Sequence, residues 1–406
     1  MPPHIQKISG QIPDSGMQLN IPLNGKNLII TGSNGAGKTW FLTQLKLKLL
    51  NKLTMMDPSR STLQTELDAL IERGAPEIGD HYGHARRVEL LRQQLKNYDS
   101  DIYLEVEPKK PIIGHLVVMF FEADRKSSIG AASSVSSVED SKEQWRSAIE
   151  HSFVGGELER HLVNLKSRAA IVEKYEKNAK YAQSIDEWFV AQEQNLKLLM
   201  EDDSTQLIYD SRKDRFTITR TGKRDTNFQS LSSGYSSVFS VYAEILMRTE
   251  VLDISPAEFE AVAFIDEIET HLHVSLQRLI LPFLKKAFPK VQFIVTTHSP
   301  FIITSTTDAI VYDISTNVVV DADLSLYTYS AIMKGIMHTK PTSVVLEDIV
   351  KNISEIINSE KLDALILRTE LNKLLGFYEF LDDRAKTFFQ LGQKALADSE
   401  DSNVQG

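Results

Sequence analysis

Three short runs, HIQKI, MQLNIPLN and the wholly apolar NLIIT, are separated by turn residues and predict strands within the first 31 residues. The third runs into a glycine-rich stretch, Gly32 to Thr39, and then into Trp40 to Leu53, whose apolar spacing predicts a helix. Leu63, Leu67, Leu70 and Ile71 share one helical face, as do Val88, Leu91 and Leu95, with GAPEIGD breaking between them. Strand-like residues return at Ile112 to Phe121. Residues 127–141 hold seven serines in fifteen positions and predict a flexible or surface loop. From about 142 to 200 the pattern is helical. Leu158, Leu162, Leu165, Ala169 and Val172 recur at 4-3-4-3 spacing, as in a short helical hairpin or coiled-coil arm. QLIYDS and RFTITR, joined by a turn at Arg212 to Asp214, predict a hairpin. A serine-glycine turn at 232–234 then precedes a helix to about Thr249, the buried strand AVAFID, a helix near 274–288 and the strand VQFIVTT. Beyond about 325 the pattern is mainly helical, with the last dozen residues expected to fray.

A chain of 406 residues leads to an expectation of two or three structural units. Net charge is −10, which weighs against a protein whose main task is coating nucleic acid. The arm at 142–200 carries nine basic and nine acidic residues, a balanced solvated surface, whereas 341–406 has seven basic against twelve acidic. Without cysteine there are no disulfides, thiolate zinc sites, iron–sulfur clusters or cysteine nucleophiles, and a reducing, cytoplasmic location is expected. No apolar run approaches the 18 residues of a membrane span.

Candidate chemistry begins at Gly32-Ser33-Asn34-Gly35-Ala36-Gly37-Lys38-Thr39, which satisfies G-x-x-x-x-G-K-[ST] between a strand and a helix. There the glycines let backbone N–H groups curl around phosphate oxygens, the helix start adds its positive dipole end, and Lys38 neutralises β and γ phosphates. Thr39 offers a hydroxyl to Mg²⁺. The strand Val262 to Ile265 delivers two carboxylates at its C-terminal end: Asp266 to hold Mg²⁺ through water and Glu267 to polarise an attacking water. Leu231-Ser232-Ser233-Gly234-Tyr235 lies thirty-five residues before Asp266, and His298 follows the strand VQFIVTT.

In that order the four elements resemble the head of ABC/SMC-like ATPases over residues of about 1–60, 111–125 and 205–315, and within that group the AAA-family branch that includes RecF, OLD-family ATPases and PtuA-type ATPases of anti-phage defence. The resemblance implies an α/β fold: a P-loop NTPase head of ABC type, a mixed β-sheet with flanking helices, a helical-arm insertion and a helical C-terminal extension. It makes Ser232, Ser233 and Gly234 a signature turn lent to the γ-phosphate on another subunit, His298 a γ-phosphate switch, and Glu269 to His273 a loop at the dimer interface. ATP and Mg²⁺ are the implied cofactors. Tyr235 departs from the pattern, standing where transporters carry Gln, and 111–125 has no Q-loop glutamine; Glu122 or Arg125 is its candidate substitute. His271 and His273, two apart, fall on different helix faces and read as surface rather than metal ligands. Asp321-Ala322-Asp323 reads as a strand-edge turn, not a nuclease motif.

The expected organisation is an N-terminal head lobe at 1–126 with a helical insertion at 54–100, a serine-rich loop and arm at 127–204, a C-terminal head lobe at 205–320, and an acidic docking or oligomerisation region at 321–406. The resemblance implies an ATP-hydrolysing switch that forms a homodimer or higher oligomer around ATP and controls a separate nuclease or toxin in bacterial defence, with DNA or RNA as a further possible partner and no membrane. Three alternatives stay open: a RecF-like ATPase acting on DNA itself, a transporter's nucleotide-binding subunit, and an ATP-gated scaffold with little hydrolysis.

Overall fold

The computed structural model describes residues 5–13, 15–54, 60–74, 81–99, 101–106, 117–125, 129–132, 135–149, 152–340, 342–359 and 362–404. The chain divides into two compact units, Met1–Ile332 and Met333–Gly406.

The first unit is organised around a six-stranded sheet. Its strands are β3 (Asn27–Thr31), β5 (Val117–Phe121), β8 (Ala261–Ile265), β9 (Val291–Thr296), β10 (Ala309–Asp313) and β11 (Val318–Val320), in the order β11-β10-β3-β9-β8-β5. All neighbours pair in parallel except β10 with β11. Four of the strands (β3, β8, β9 and β10) are buried at every residue, which is why they read as unbroken apolar runs rather than alternating ones. A three-stranded antiparallel sheet, β2-β1-β4, covers one side: β1 (Ile5–Gln11), β2 (Gln18–Pro22) and β4 (Ile102–Val106). Its buried residues Ile5, Ile8, Leu19, Ile21, Ile102 and Leu104 share a core with Phe41, Leu45 and Leu49 of α1 (Lys38–Thr54) and with Ile30, Phe264 and Ile294 of the large sheet. Helices α2 (Arg60–Arg73) and α3 (His81–Asp99) form the insertion and bury Leu63, Leu67, Leu91 and Leu95 against each other.

The segment expected as an arm folds back onto the head. It comprises α4 (Val138–Ala148), α5 (Leu158–Ile171), a turn of π-helix at Val172–Glu176 and α6 (Ala179–Met200). Leu158, Leu162, Leu165, Ala169 and Val172 are buried, and so are Glu159, His161 and Asn164, so the stripe is core and not a solvated coiled-coil seam. Phe189 of α6 stacks on Phe216 of the hairpin β6 (Gln206–Asp210) and β7 (Arg215–Thr219), at 5.7 Å and 16°. Trp188 Nε1 donates to Glu250 Oε1 (2.8 Å) and Asn195 Nδ2 to Tyr242 Oη (3.0 Å), both on α7 (Ser233–Val251). The serine-rich loop is in part fixed as well. Ser136 N donates to Asn164 Oδ1 (2.9 Å), and the Ser136 and Ser141 hydroxyls meet at 2.8 Å, while 126–128 and 133–134 lie outside the described residues. Residues 112–116 of the run expected as a strand also lie outside them.

Helices α8 (Val274–Ala287) and α9 (Pro300–Ile303) complete the first unit, and α10 (Tyr329–Gly335) spans the division. The second unit is a bundle of α11 (Val344–Ile357), α12 (Ala364–Leu375) and α13 (Asp383–Val404) around Val350, Ile353, Leu367, Leu371, Leu374 and Phe389. Helix α13 continues to Val404, where the sequence leads one to expect fraying. Among the described residues no helix is long and apolar enough to cross a membrane.

Candidate nucleotide site

Strand order assembles the site. With β9 between β3 and β8, three adjacent strands end at one edge, delivering the loop 32–39, the turn Thr297-His298 and the pair Asp266-Glu267 side by side.

The loop takes its shape from glycine. Gly32, at φ +145°, sits where an added Cβ would lie 2.7 Å from Ser315 Oγ, so neither its backbone nor its space admits a side chain. Gly35 and Gly37 also lie at positive φ, turning the loop into the start of α1. Ser33 N donates to Ser315 Oγ (2.8 Å), and Asp313 holds that neighbouring turn by accepting from Ser315 N (2.9 Å) and Thr316 Oγ1 (2.5 Å). Among the described residues the amides of Lys38, Thr39 and Trp40 have no acceptor in the chain; they are the orphan donors of a helix start, aimed where a phosphate fits.

Lys38 is buried, and its Nζ donates back to the carbonyls of Gly32 (3.1 Å) and Ser33 (3.0 Å). Burial lowers its pKa below the ordinary lysine value, opposed by the carboxylates of Glu267, Glu269, Asp266 and Asp313. Thr39 Oγ1 donates to Asp266 Oδ2 (2.8 Å), and Thr296 Oγ1 to Asp266 Oδ1 (2.5 Å). A hydroxyl and a carboxylate brought together from residues 227 apart form the oxygen-donor set that suits Mg²⁺. Glu267 has φ +42°, in the left-handed region; its N–H donates to Thr296 Oγ1 (2.7 Å) and its Oε2 accepts from Thr270 Oγ1 (3.1 Å). Glu269 reaches across to the next strand end, accepting from Thr297 Oγ1 (2.7 Å) and His298 N (2.5 Å), which fixes the turn that presents His298.

Not every candidate joins this cluster. Ser232 and Ser233 are exposed at the N-terminus of α7, and Ser232 makes no side-chain cap. Gly234 is buried against the segment after β8, where an added Cβ would lie 3.1 Å from His271 O. Among the described residues no hydrogen bond links 232–234 to 32–39. His271 is exposed, and His273 caps α8 through Ser275 N (3.4 Å). No group of three or more metal-ligating side chains occurs among the described residues. Asp323 accepts from Ser325 N (3.1 Å) and Asp321 pairs with Lys26 (2.7 Å), so both serve the turn after β11. Thr296, Asp313 and Ser315 escape a motif reading. Their signal is adjacency of strands far apart in sequence, and no local pattern carries it.

A phosphate loop, a hydroxyl–carboxylate pair and a second acid on neighbouring ends of a mostly parallel sheet define a P-loop NTPase head. Residues 121–304 match the family model described as "AAA domain, putative AbiEii toxin, Type IV TA system". The chain is similar to "Retron Ec83 probable ATPase" of Escherichia coli, 42% identical over 73 residues, 17% of this chain and 14% of that protein. It is also similar to "Septu protein PtuA" of Bacillus mycoides (strain KBAB4), 39% identical over 77 residues, 18% of this chain and 10% of that protein. The aligned stretches thus span less than a quarter of each curated relative. The SMC head domain from Thermotoga maritima aligns with 78% of this chain and 98% of its own at 13% identity, with a TM-score of 0.34.

Proposed function

We propose that the protein binds and hydrolyses ATP with Mg²⁺ and that two copies close around the nucleotide to control a separate effector, a nuclease or toxin, in anti-phage defence. The observation that carries the catalytic part is the meeting of Thr39 Oγ1 and Asp266 Oδ2 at 2.8 Å beside the buried Lys38. Lys38 and the orphan amides of α1 hold the β and γ phosphates. Thr39 and Asp266 hold Mg²⁺, which when bound neutralises charge on the phosphates. Glu267 accepts a proton from the water that attacks the γ-phosphorus, and the turn before His298, braced by Glu269, keeps the imidazole beside the same phosphate. The exposed N-terminus of α7 supports the dimeric part: Ser232 and Ser233 face outward in their own chain, available to the γ-phosphate of a second copy. The defence role rests on the similarity to the retron and Septu proteins, which covers only part of either.

The test is paired. Lys38→Ala is expected to abolish ATP binding, and Glu267→Gln to bind ATP, lose turnover and accumulate as an ATP-bound dimer seen by light scattering. Normal turnover in either purified variant refutes the assignments. Measuring phosphate release with and without DNA separates this reading from an ATPase driven by DNA directly.

A further inference from the structure

Arg125, four residues past β5, spends three of its five guanidinium hydrogen bonds on the end of the acid-bearing strand. Nε donates to Ser237 Oγ (3.2 Å), Nη1 to the carbonyls of Asp266 (2.8 Å) and Glu122 (3.3 Å), and Nη2 to those of Glu267 (3.3 Å) and Ile268 (3.1 Å). All five N–H groups are therefore used, on four carbonyls and one hydroxyl, with no carboxylate among its hydrogen-bond partners. A residue serving only charge balance takes the acid's oxygens; this one gathers three consecutive backbone carbonyls of a turn. The turn needs gathering, because a non-glycine residue in the left-handed region costs on the order of 1 kcal/mol or more and persists only when its surroundings hold it. Glu267 at φ +42° is held from both sides, its N–H by Thr296 and its carbonyl by Arg125. Burial lowers the guanidinium's pKa to about 10, with the carboxylates of Glu269, Asp266 and Glu267 opposing, so it stays charged at neutral pH.

The bond to Ser237 reaches a helix. Ser237 lies one turn into α7, whose start carries the exposed Ser232 and Ser233, and its Oγ accepts from Arg125 while donating to Thr270 O (3.4 Å). Thr270 in turn donates to the Glu267 carboxylate. A push on the start of α7 thus reaches Glu267 by two short routes, through Arg125 to its backbone and through Thr270 to its side chain.

We propose that Arg125 is the positioning residue that aims Glu267 and couples it to α7, so that hydrolysis at one site depends on engagement of the same head's exposed serine turn. This rests on the ATPase reading above. The test uses the full chain and compares wild type, Arg125→Lys, Glu267→Gln and the double variant in ATP affinity, melting temperature and single-turnover hydrolysis. Arg125→Lys keeps the charge but loses the fork, and is expected to slow hydrolysis about 10–100-fold with ATP affinity within about twofold of wild type. Adding it to Glu267→Gln is expected to slow the residual rate no further, because both act through one group. Multiplying losses, or parallel loss of melting temperature, ATP binding and turnover, overturn the proposal. Ser237→Ala cuts only the link to α7, and is expected to lower the Hill coefficient for ATP toward one. An unchanged cooperativity overturns the coupling. A wild type that binds ATP and never cleaves it fails differently, overturning the ATPase reading itself along with this inference.

Discussion

Lys38 is held by the carbonyls of its own loop, in a setting that disfavours its charge. Phosphates would replace those carbonyls as partners, so the protonated ammonium is the binding form. Because burial lowers the folded-state pKa, the ammonium loses its proton at a lower pH than an exposed lysine does. ATP affinity is therefore expected to be flat near neutrality and to weaken as pH rises through that depressed value, before pH 10.5. Lys38→Arg, which keeps its charge, should remove the alkaline fall if it still binds. Fluorescence titration with a labelled ATP analogue between pH 7 and 10.5 reads both; a wild-type curve flat to pH 10.5 contradicts the expectation. At this scale Lys38, Thr39, Asp266 and Glu267 were legible because each lies in a local motif. The network that aims them was not. Arg125 was singled out only as a stand-in for a missing glutamine, yet it grips the backbone after β8, a placement set by the pairing of β5 with β8.

Elements differ in the same way. The succession β3, loop, α1 was readable because continuous apolar residues, glycines and helical spacing follow one another within 28 positions, Asn27 to Thr54. Strand β4 was missed: its five residues follow a helical run, and its partner β1 lies about ninety-five positions upstream. The α5–α6 hairpin was found but misplaced, since 4-3-4-3 spacing looks alike whether the stripe meets another chain or its own domain. Its buried charges decide the matter. Glu159, fully buried, accepts from Phe216 N (3.0 Å) and from Gln229 Nε2 (2.8 Å), joining α5 to β7 and to the turn before α7. Glu159→Ala strands the buried Phe216 N–H, while Gln229 Nε2 keeps the Ile129 carbonyl, and is expected to cost about 1–3 kcal/mol, a fall of several degrees in melting temperature by calorimetry. An unchanged melting temperature would mean that the hairpin is not part of the head's cooperative unit.

For the whole molecule, the proposed pairing of heads makes a quantitative demand. Lys38→Ala removes the phosphate grip of one copy and Ser233→Arg blocks the serine turn it lends. Each variant alone is expected to be inactive. Mixed in equal amounts, they form heterodimers in which one site has both an intact Lys38 and an intact Ser233. Random pairing puts half the dimers in that class with one working site of two, so a quarter of wild-type turnover is the ceiling. The head with that site carries the blocked turn, so the Arg125 coupling is expected to hold recovery well below the ceiling. Ser237→Ala in both chains cuts the coupling and is expected to raise recovery to about a quarter; recovery near zero there would show that the serine turn does not act in trans.

The central strand β3 hydrogen-bonds only to β9 and β10, which begin at Val291 and Ala309. On a ribosome those partners are made long after it, at roughly 5–20 residues per second a delay on the order of tens of seconds. Until then the glycine loop, though already translated, has no neighbouring strands to shape it. A nascent chain stopped short of Ala309 would therefore carry the complete lysine motif and still be blind to nucleotide.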